Sequence, residues 1–421
     1  MFWILTLTGL VIVDSVTKAQ NTDSTPLIIR HADRMIGSET ESGATRQLDG
    51  NVQMLHGDVE IRCDRAQQEL TTGRAELIGN VIIVQGTLKM TMQRGVYLSA
   101  ERRAYGVGNV VIRDGAATLA APQGEYFLDR RLAVFHRGVH FLDSNTTILA
   151  DSMIYERTSG RRWAWRNVEL FFLRQATTVR GDSAFDDPVT NTAIVMGRTL
   201  LMQSDSAATD TLYMRADSLR LRSDSARVRY LIAHGSVRLV RGAIRVCANH
   251  AELHGNDILV FSGNPIVWAD SAQLSGETIR AELVDGRLRT VHAVGNAMLG
   301  IIEDSTCVVP HQLMADRIKL EFNSDSLRTV RGGGSVYTLY QHRTDDNRPD
   351  GITRVASDSI VIAFTGGQIS RCTWLGKVHS EYVPEHRLDN AERYLRGFRW
   401  SSETKPTRDE LLHASAEQKT H

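Results

Sequence analysis

Apolar and polar residues alternate along most of this chain. Leu88, Met90 and Met92 are interleaved with Lys89 and Thr91, and the same beat runs through Val81 and Ile83, Val110 and Ile112, Val139 and Phe141, and Val168 and Leu170. A period of two puts every second side chain on one face of a strand, whereas a helix would repeat every three to four residues. Turn signals such as Asp114-Gly115 and Asp129-Arg130-Arg131 break the alternation after roughly a dozen residues, a spacing typical of all-β chains. The pattern predicts antiparallel strands joined by tight turns.

The alternation is also periodic on a longer scale. Val52, Val81, Val110, Val139 and Val168 each follow the last by 29 residues, and Tyr97, Tyr126 and Tyr155 keep the same interval in the second half of their units. Less regular units recur at Gly197, Gly235, Gly263, Gly295, Gly334 and Gly376. A glycine, usually followed by asparagine, precedes the marker valine near mid-strand, at Gly79, Gly108 and Gly138, and glycine inside a strand marks a bend or bulge. Each unit therefore reads as two strands that fold over at their midpoints, one half in each of two facing layers. Stacked, such units give an all-β fold: an elongated jelly-roll or U-shaped trough of bent antiparallel strands, closed at the bends and more open along the opposite side. Val81, Ile83, Leu88, Met90, Met92, Val110, Ile112, Val139, Phe141 and Leu170 would form an apolar column along its inside.

Composition narrows the function classes. With 421 residues, 49 Lys and Arg against 49 Asp and Glu, the chain has no net charge to attract nucleic acid. Residues 2 to 13 form a short apolar run before Thr17 and Ala19, so residues 1–19 read as a secretory signal, without the usual preceding Lys or Arg. No later stretch is long and apolar enough to span a membrane as a helix. Cys63, Cys247, Cys307 and Cys372 are far apart and include no C-x-x-C pair, which argues against a zinc site; disulfides or buried thiols both remain open.

The Gly-Asn-Val hinge, the alternating residues after it, and the segments Leu149–Tyr155, Met214–Leu219 and Leu313–Ile318, each followed by a turn and the next glycine, resemble the OstA-like, LptA-type periplasmic proteins that carry lipopolysaccharide. The resemblance covers about residues 28 to 383. It implies a non-enzymatic protein of the periplasm, with an outer-membrane partner as a candidate, whose apolar trough shields lipid acyl chains. It also implies assembly with similar domains through strand edges. The length fits two such domains, residues 20–202 and 203–383, with a break near Gln203–Tyr213, followed by a short helix and polar tail over 384–421.

The basic turns on one edge, represented by Arg74, Arg103, Arg131 and Arg162, would align in a ladder suited to lipid phosphates. Solvated turns that blunt the sheet edge are the competing reading. A dry β core competes for the column, and with it a structural envelope solenoid that holds no lipid. His250 and His254 lie too far apart on a strand, about 13 Å, to share one metal ion, and Asp151, Asp182, Asp217 and Asp316 recur where a bend leaves backbone donors to satisfy. Trp163 and Trp165 read as core or rim residues. No nucleophile elbow, P-loop or paired catalytic carboxylate stands out from the repeat, so no enzyme, cofactor or metal is expected.

Overall fold

The computed structural model describes residues 26–413 except 41–42, 174–175, 205–210, 224–227, 256, 270, 285–286, 303–308, 324–325, 345, 347 and 402–404. The apolar run at 1–19 and Cys307 lie outside the described residues. Among the described residues, 26 strands make a single sheet in which chain neighbours pair antiparallel. Several strands are broken in two at the bend. Ile258–Ser262 and Ile266–Ala269 together line the strand Ile244–His254, and Gln368–Leu375 and His379–Pro384 together line Pro349–Thr365.

Most of the bends share one construction. On the strand Arg74–Gln85, Gly79 (φ 76°) and Asn80 (φ 47°) are both left-handed. Arg62 pairs with Ile82 but Arg65 with Ile78, so three residues face two and the strand turns through a bulge. The Asp64 carboxylate fills the corner: it accepts a hydrogen bond from Asn80 Nδ2 at 2.9 Å and lies where a Cβ on Gly79 would sit. Asp33 with Asn51, Asp151 with Asn167 and Asp182 with Arg198 repeat the pairing, and Asp217 and Asp316 pack on Gly235 and Gly334. The strand Arg162–Phe172 makes its corner without glycine, from Arg166 and Asn167 at φ 61° and 50°. Asparagine and a carboxylate partner thus suffice for the left-handed pair.

The bends divide the stack into two walls. Hairpin turns at 70–73, 99–102, 128–131 and 157–161 form the rim of the first wall, and those at 57–58, 86–87, 115–116 and 143–145 the rim of the second. Buried residues alternate along both halves of each strand, as on Arg74–Gln85, where Ala75 and Leu77 precede the bend and Val81 and Ile83 follow it. The walls touch inside: Trp374 Nε1 of the first wall donates to Thr338 Oγ1 of the second at 3.1 Å.

Near Gln203–Tyr213 the strands Thr192–Ser204 and Thr211–Ser223 pair along their length, from Thr192 with Arg222 to Ser204 with Thr211. One apolar cluster runs from Leu48 to Phe261, a second from Leu274 to Phe364, with Leu259 and Val267 packed against both. After Pro384 the chain forms two short 3-10 turns, Glu385–Arg387 and Asn390–Arg393, and a single α-helical turn and a half at Arg408–His413.

That segment is laid across the outer face of the second wall. Gln312 Nε2 donates to the Arg393 carbonyl and Gln312 Oε1 accepts from Leu395 N, both at 2.8 Å. Gln273 does the same for Arg399 and Ser401, at 2.6 and 2.9 Å. The bare backbone of Gly300 leaves room for the Phe398 and Trp400 rings, which occupy the space a Cβ would need. Leu411 finishes the run, buried with Leu200 and Val240. A continuous helix beginning at Pro384, expected from the sequence, is replaced because two outward glutamines supply the backbone hydrogen bonds that a helix would otherwise provide for itself.

Candidate functional site

The predicted column exists and is inward. Val81, Ile83, Leu88, Met90, Val110, Ile112, Val139, Phe141 and Leu170 are each at most 2% exposed, and Met92 is 5% exposed. Ladder pairing joins Ile83, Met90, Ile112, Phe141 and Leu170 into a row that crosses the sheet strand by strand. Met54 faces Ile61, Ile61 faces Ile83, Ile83 faces Met90, and the row passes through Ile112, Leu119, Phe141 and Ile148 to Leu170. Beyond them it runs on through Val179, Leu201, Met214 and Leu239 to Val246, Val267, Leu274, Leu299 and Leu313.

The members on alternate strands, Ile61, Leu119, Ile148, Val179 and Met214, are additions to the column read from the sequence. Their signal is the small residue two positions on: Ala121, Ala150 and Ala216 lie beside the bend, opposite Val110, Val139 and Thr199. A bulky residue facing a small one is what a sharply folded double layer can pack.

Three of the four basic turn residues, Arg74, Arg103 and Arg162, are engaged by carboxylates of the chain, and Arg131 is exposed. Arg74 Nη1 lies 2.7 Å from Glu76 and 3.4 Å from Glu69, and Arg103 lies 3.0 Å from Glu101 and 3.3 Å from Glu125. Arg131 sits in its turn at φ 51°, and its carbonyl accepts from Arg157 N at 2.9 Å. Arg162 is 5% exposed, held between Asp143 (2.6 Å) and Asp186 (2.8 Å) with its guanidinium 4.2 Å from the Phe141 ring centroid. Burial pushes the Asp186 carboxyl up to about 6, and Asp143 and Asp187 add to the rise that Arg162 opposes.

The side opposite the bends, expected to be the more open, is bridged along the N-terminal part of the stack. Arg102 on the first rim reaches Asp58 on the second at 2.5 Å, and Arg157 reaches Asp114 at 2.7 Å and Thr87 at 2.9 Å. Beneath them His56 Nδ1 meets the Tyr97 hydroxyl at 2.6 Å, and the Tyr126 hydroxyl donates to Gln85 Oε1 at 3.1 Å. Hydrogen bonding from Gln85, then from Arg102, holds Asp58 below the usual carboxylate range. Near the C-terminal end of the sheet an apolar cleft lies between the walls, lined by Leu299, Ile301, Leu313, Ile360, Ile362 and Trp374.

Other candidates resolve as structural. Glu252 lies between His250 and His254, each imidazole 2.8 Å from its carboxylate, and these contacts hold Glu252 below its ordinary range. Trp163 packs on Phe185 on the outer face, and Trp165 is exposed there. Cys63 is buried, which pushes its thiol up to about 11. Among the described residues no group of three His, Cys, Asp or Glu side chains is placed to hold a metal ion, and no helix is long and apolar enough to cross a membrane.

No curated protein matches the chain. Among solved structures, LptH of Pseudomonas aeruginosa is similar at 17% identity, with 34% of this chain and 95% of that chain covered and a TM-score of 0.25. It is described as the LptA homologous periplasmic component of the conserved lipopolysaccharide transport device. Residues 24–172, which hold the regular 29-residue repeat and the bridged rims, match the model of the OstA-like protein family that the sequence pattern resembles.

Proposed function

We propose that this chain is a non-enzymatic envelope protein that shields the acyl chains of lipopolysaccharide, or of a related glycolipid, inside its apolar trough during outer-membrane biogenesis. The observation that carries this reading is the apolar row running from Met54 to Leu313 between two walls. Such a row is longer than a compact core requires, and it offers hydrocarbon the same surroundings at every strand. The OstA-like match over residues 24–172 supports it.

In this reading the protein works in the periplasm and joins similar folds end to end. The outermost strands invite this: Arg34–Thr40 carries exposed Met35 and Ile36, and His379–Pro384 carries exposed Tyr382. A second reading has its own support. Tyr97, Tyr126, Phe135 and Phe141 are fully buried and fill the interior, as a dry scaffold of the envelope would require.

Photocrosslinking decides between them. Probes at inward Ile112 and Phe141 should capture lipopolysaccharide in envelope preparations, and probes at exposed Arg113 and His140 should not. A folded, exported protein with no lipid adduct at any of the four positions would leave the scaffold reading standing.

A further inference from the structure

We propose that the bridged rims are a latch. Arg102 and Arg157 of the first rim hold the second rim by charge, and their release opens the N-terminal half of the trough along its side. That the opening admits an acyl chain rests on the function proposed above; the latch itself rests on geometry alone.

Three features set these contacts apart from ordinary surface ion pairs. Their partners are 43 and 44 residues apart, three strands away in the sheet, so ladder pairing does not bring them together. Arg157 and Asp114 are only 15% and 13% exposed, and each guanidinium is shared: Arg102 also binds Asp129 at 2.6 Å, and Arg157 also binds Thr87. Most telling, the contacts lie over the column. Gln85–Tyr126 and His56–Tyr97 sit directly beneath the ion pairs, and Arg162 caps the Phe141 ring while binding Asp143 of the other rim.

A purely apolar seam would be indifferent to its register and stay closed by the hydrophobic effect. A seam closed by charge separates at a smaller cost, because each released group regains water. Toward the C-terminal end, the ion pairs among the described residues stay within one wall or tie it to the terminal segment, as Lys319–Glu321 and Arg354–Glu392 do. The latch therefore belongs to the N-terminal part of the stack, residues 24–172, that matches the OstA-like family model.

The test is the width of the seam in the full chain, with the four native cysteines replaced by alanine and spin labels at Ala116→Cys and Thr158→Cys. These exposed residues stand on opposite rims beside Asp114 and Arg157. A single narrow distance is expected, becoming longer and broader in Arg102→Gln/Arg157→Gln. Asp114→Asn, which keeps the shape and removes one charge, serves if the double variant does not fold. Uptake of dansyl-undecanoic acid should then be about tenfold faster, a barrier change of ~1.4 kcal/mol, at unchanged capacity. A seam equally narrow in the latch variants overturns the latch. A widened seam with no dansyl-undecanoic acid taken up by either protein leaves the latch intact and overturns the lipid reading of the interior.

Discussion

Two residues turn each strand, and they can be tested singly. At Gly79 an added methyl group meets two costs: a left-handed backbone, about 1–2 kcal/mol for an L residue, and overlap with the Asp64 carboxylate. Gly79→Ala should therefore be more destabilising than Gly115→Ala, where φ is 58° but nothing lies within 4 Å. Asp64→Ala should recover part of the loss at Gly79 and none at Gly115. Urea denaturation of the four variants checks this.

Arg162 poses the other residue-scale question, since it holds two carboxylates away from water. Arg162→Met leaves both without a cation and should cost about 3–5 kcal/mol. Asp186, raised to about 6 from 3.8, adds stability that is fully present below 3.8 and lost as the pH rises through about 6. The damage in Arg162→Met should accordingly be larger at pH 8 than at pH 5, and Asp186→Asn should flatten the wild-type stability profile between those values.

At the scale of the strand, the fold was legible where chemistry repeats locally. Valine at 29-residue intervals, with Gly-Asn before it, marks one strand of each unit and its bend. The companion strand carries the bend's carboxylate and a small inner residue instead, so half of the column, from Ile61 to Met214, was harder to see. Packing makes that small residue matter: Ala150→Leu, opposite Val139, overfills the corner and should cost about 1–3 kcal/mol, read as faster hydrogen exchange in the strands Leu132–Leu142 and Thr146–Glu156. The latch was not legible at all. Its partners are matched by the coiling of the whole stack, three strands per contact, which no pattern within a strand records. The basic turns were visible, but carboxylates such as Glu69 and Glu76 beside Arg74 are common in turns and do not by themselves announce a pairing, so solvated turns and a phosphate ladder looked alike.

At the scale of the molecule, neighbouring strands supply nearly all contacts, so damage should stay local. The rim bridges are one exception and the terminal segment another, tying residues near 312 and 273 to the neighbourhood of Leu200 and Val240. Truncation after Pro384 bares those residues and should raise binding of an apolar dye and speed exchange in Thr192–Ser204 and Val228–Arg241, while the strand Arg74–Gln85 keeps its protection.

The regular left-handed corner also makes the protein a gauge. Each two-strand unit lengthens the stack by about 10 Å without changing its cross-section, so reach is set by a count of units. Excising 29 residues from one hinge to the next should yield a shorter, folded stack. Excising a single strand would reverse every later strand and set each of its halves on the opposite wall. Yet each latch spans a unit and a half, so even the clean excision forces Arg and Asp to find new partners. Where the rims are not bridged, toward the C-terminal end, the constraint on length passes to the terminal segment, which ties residues near 312 and 273 to Leu200 and Val240.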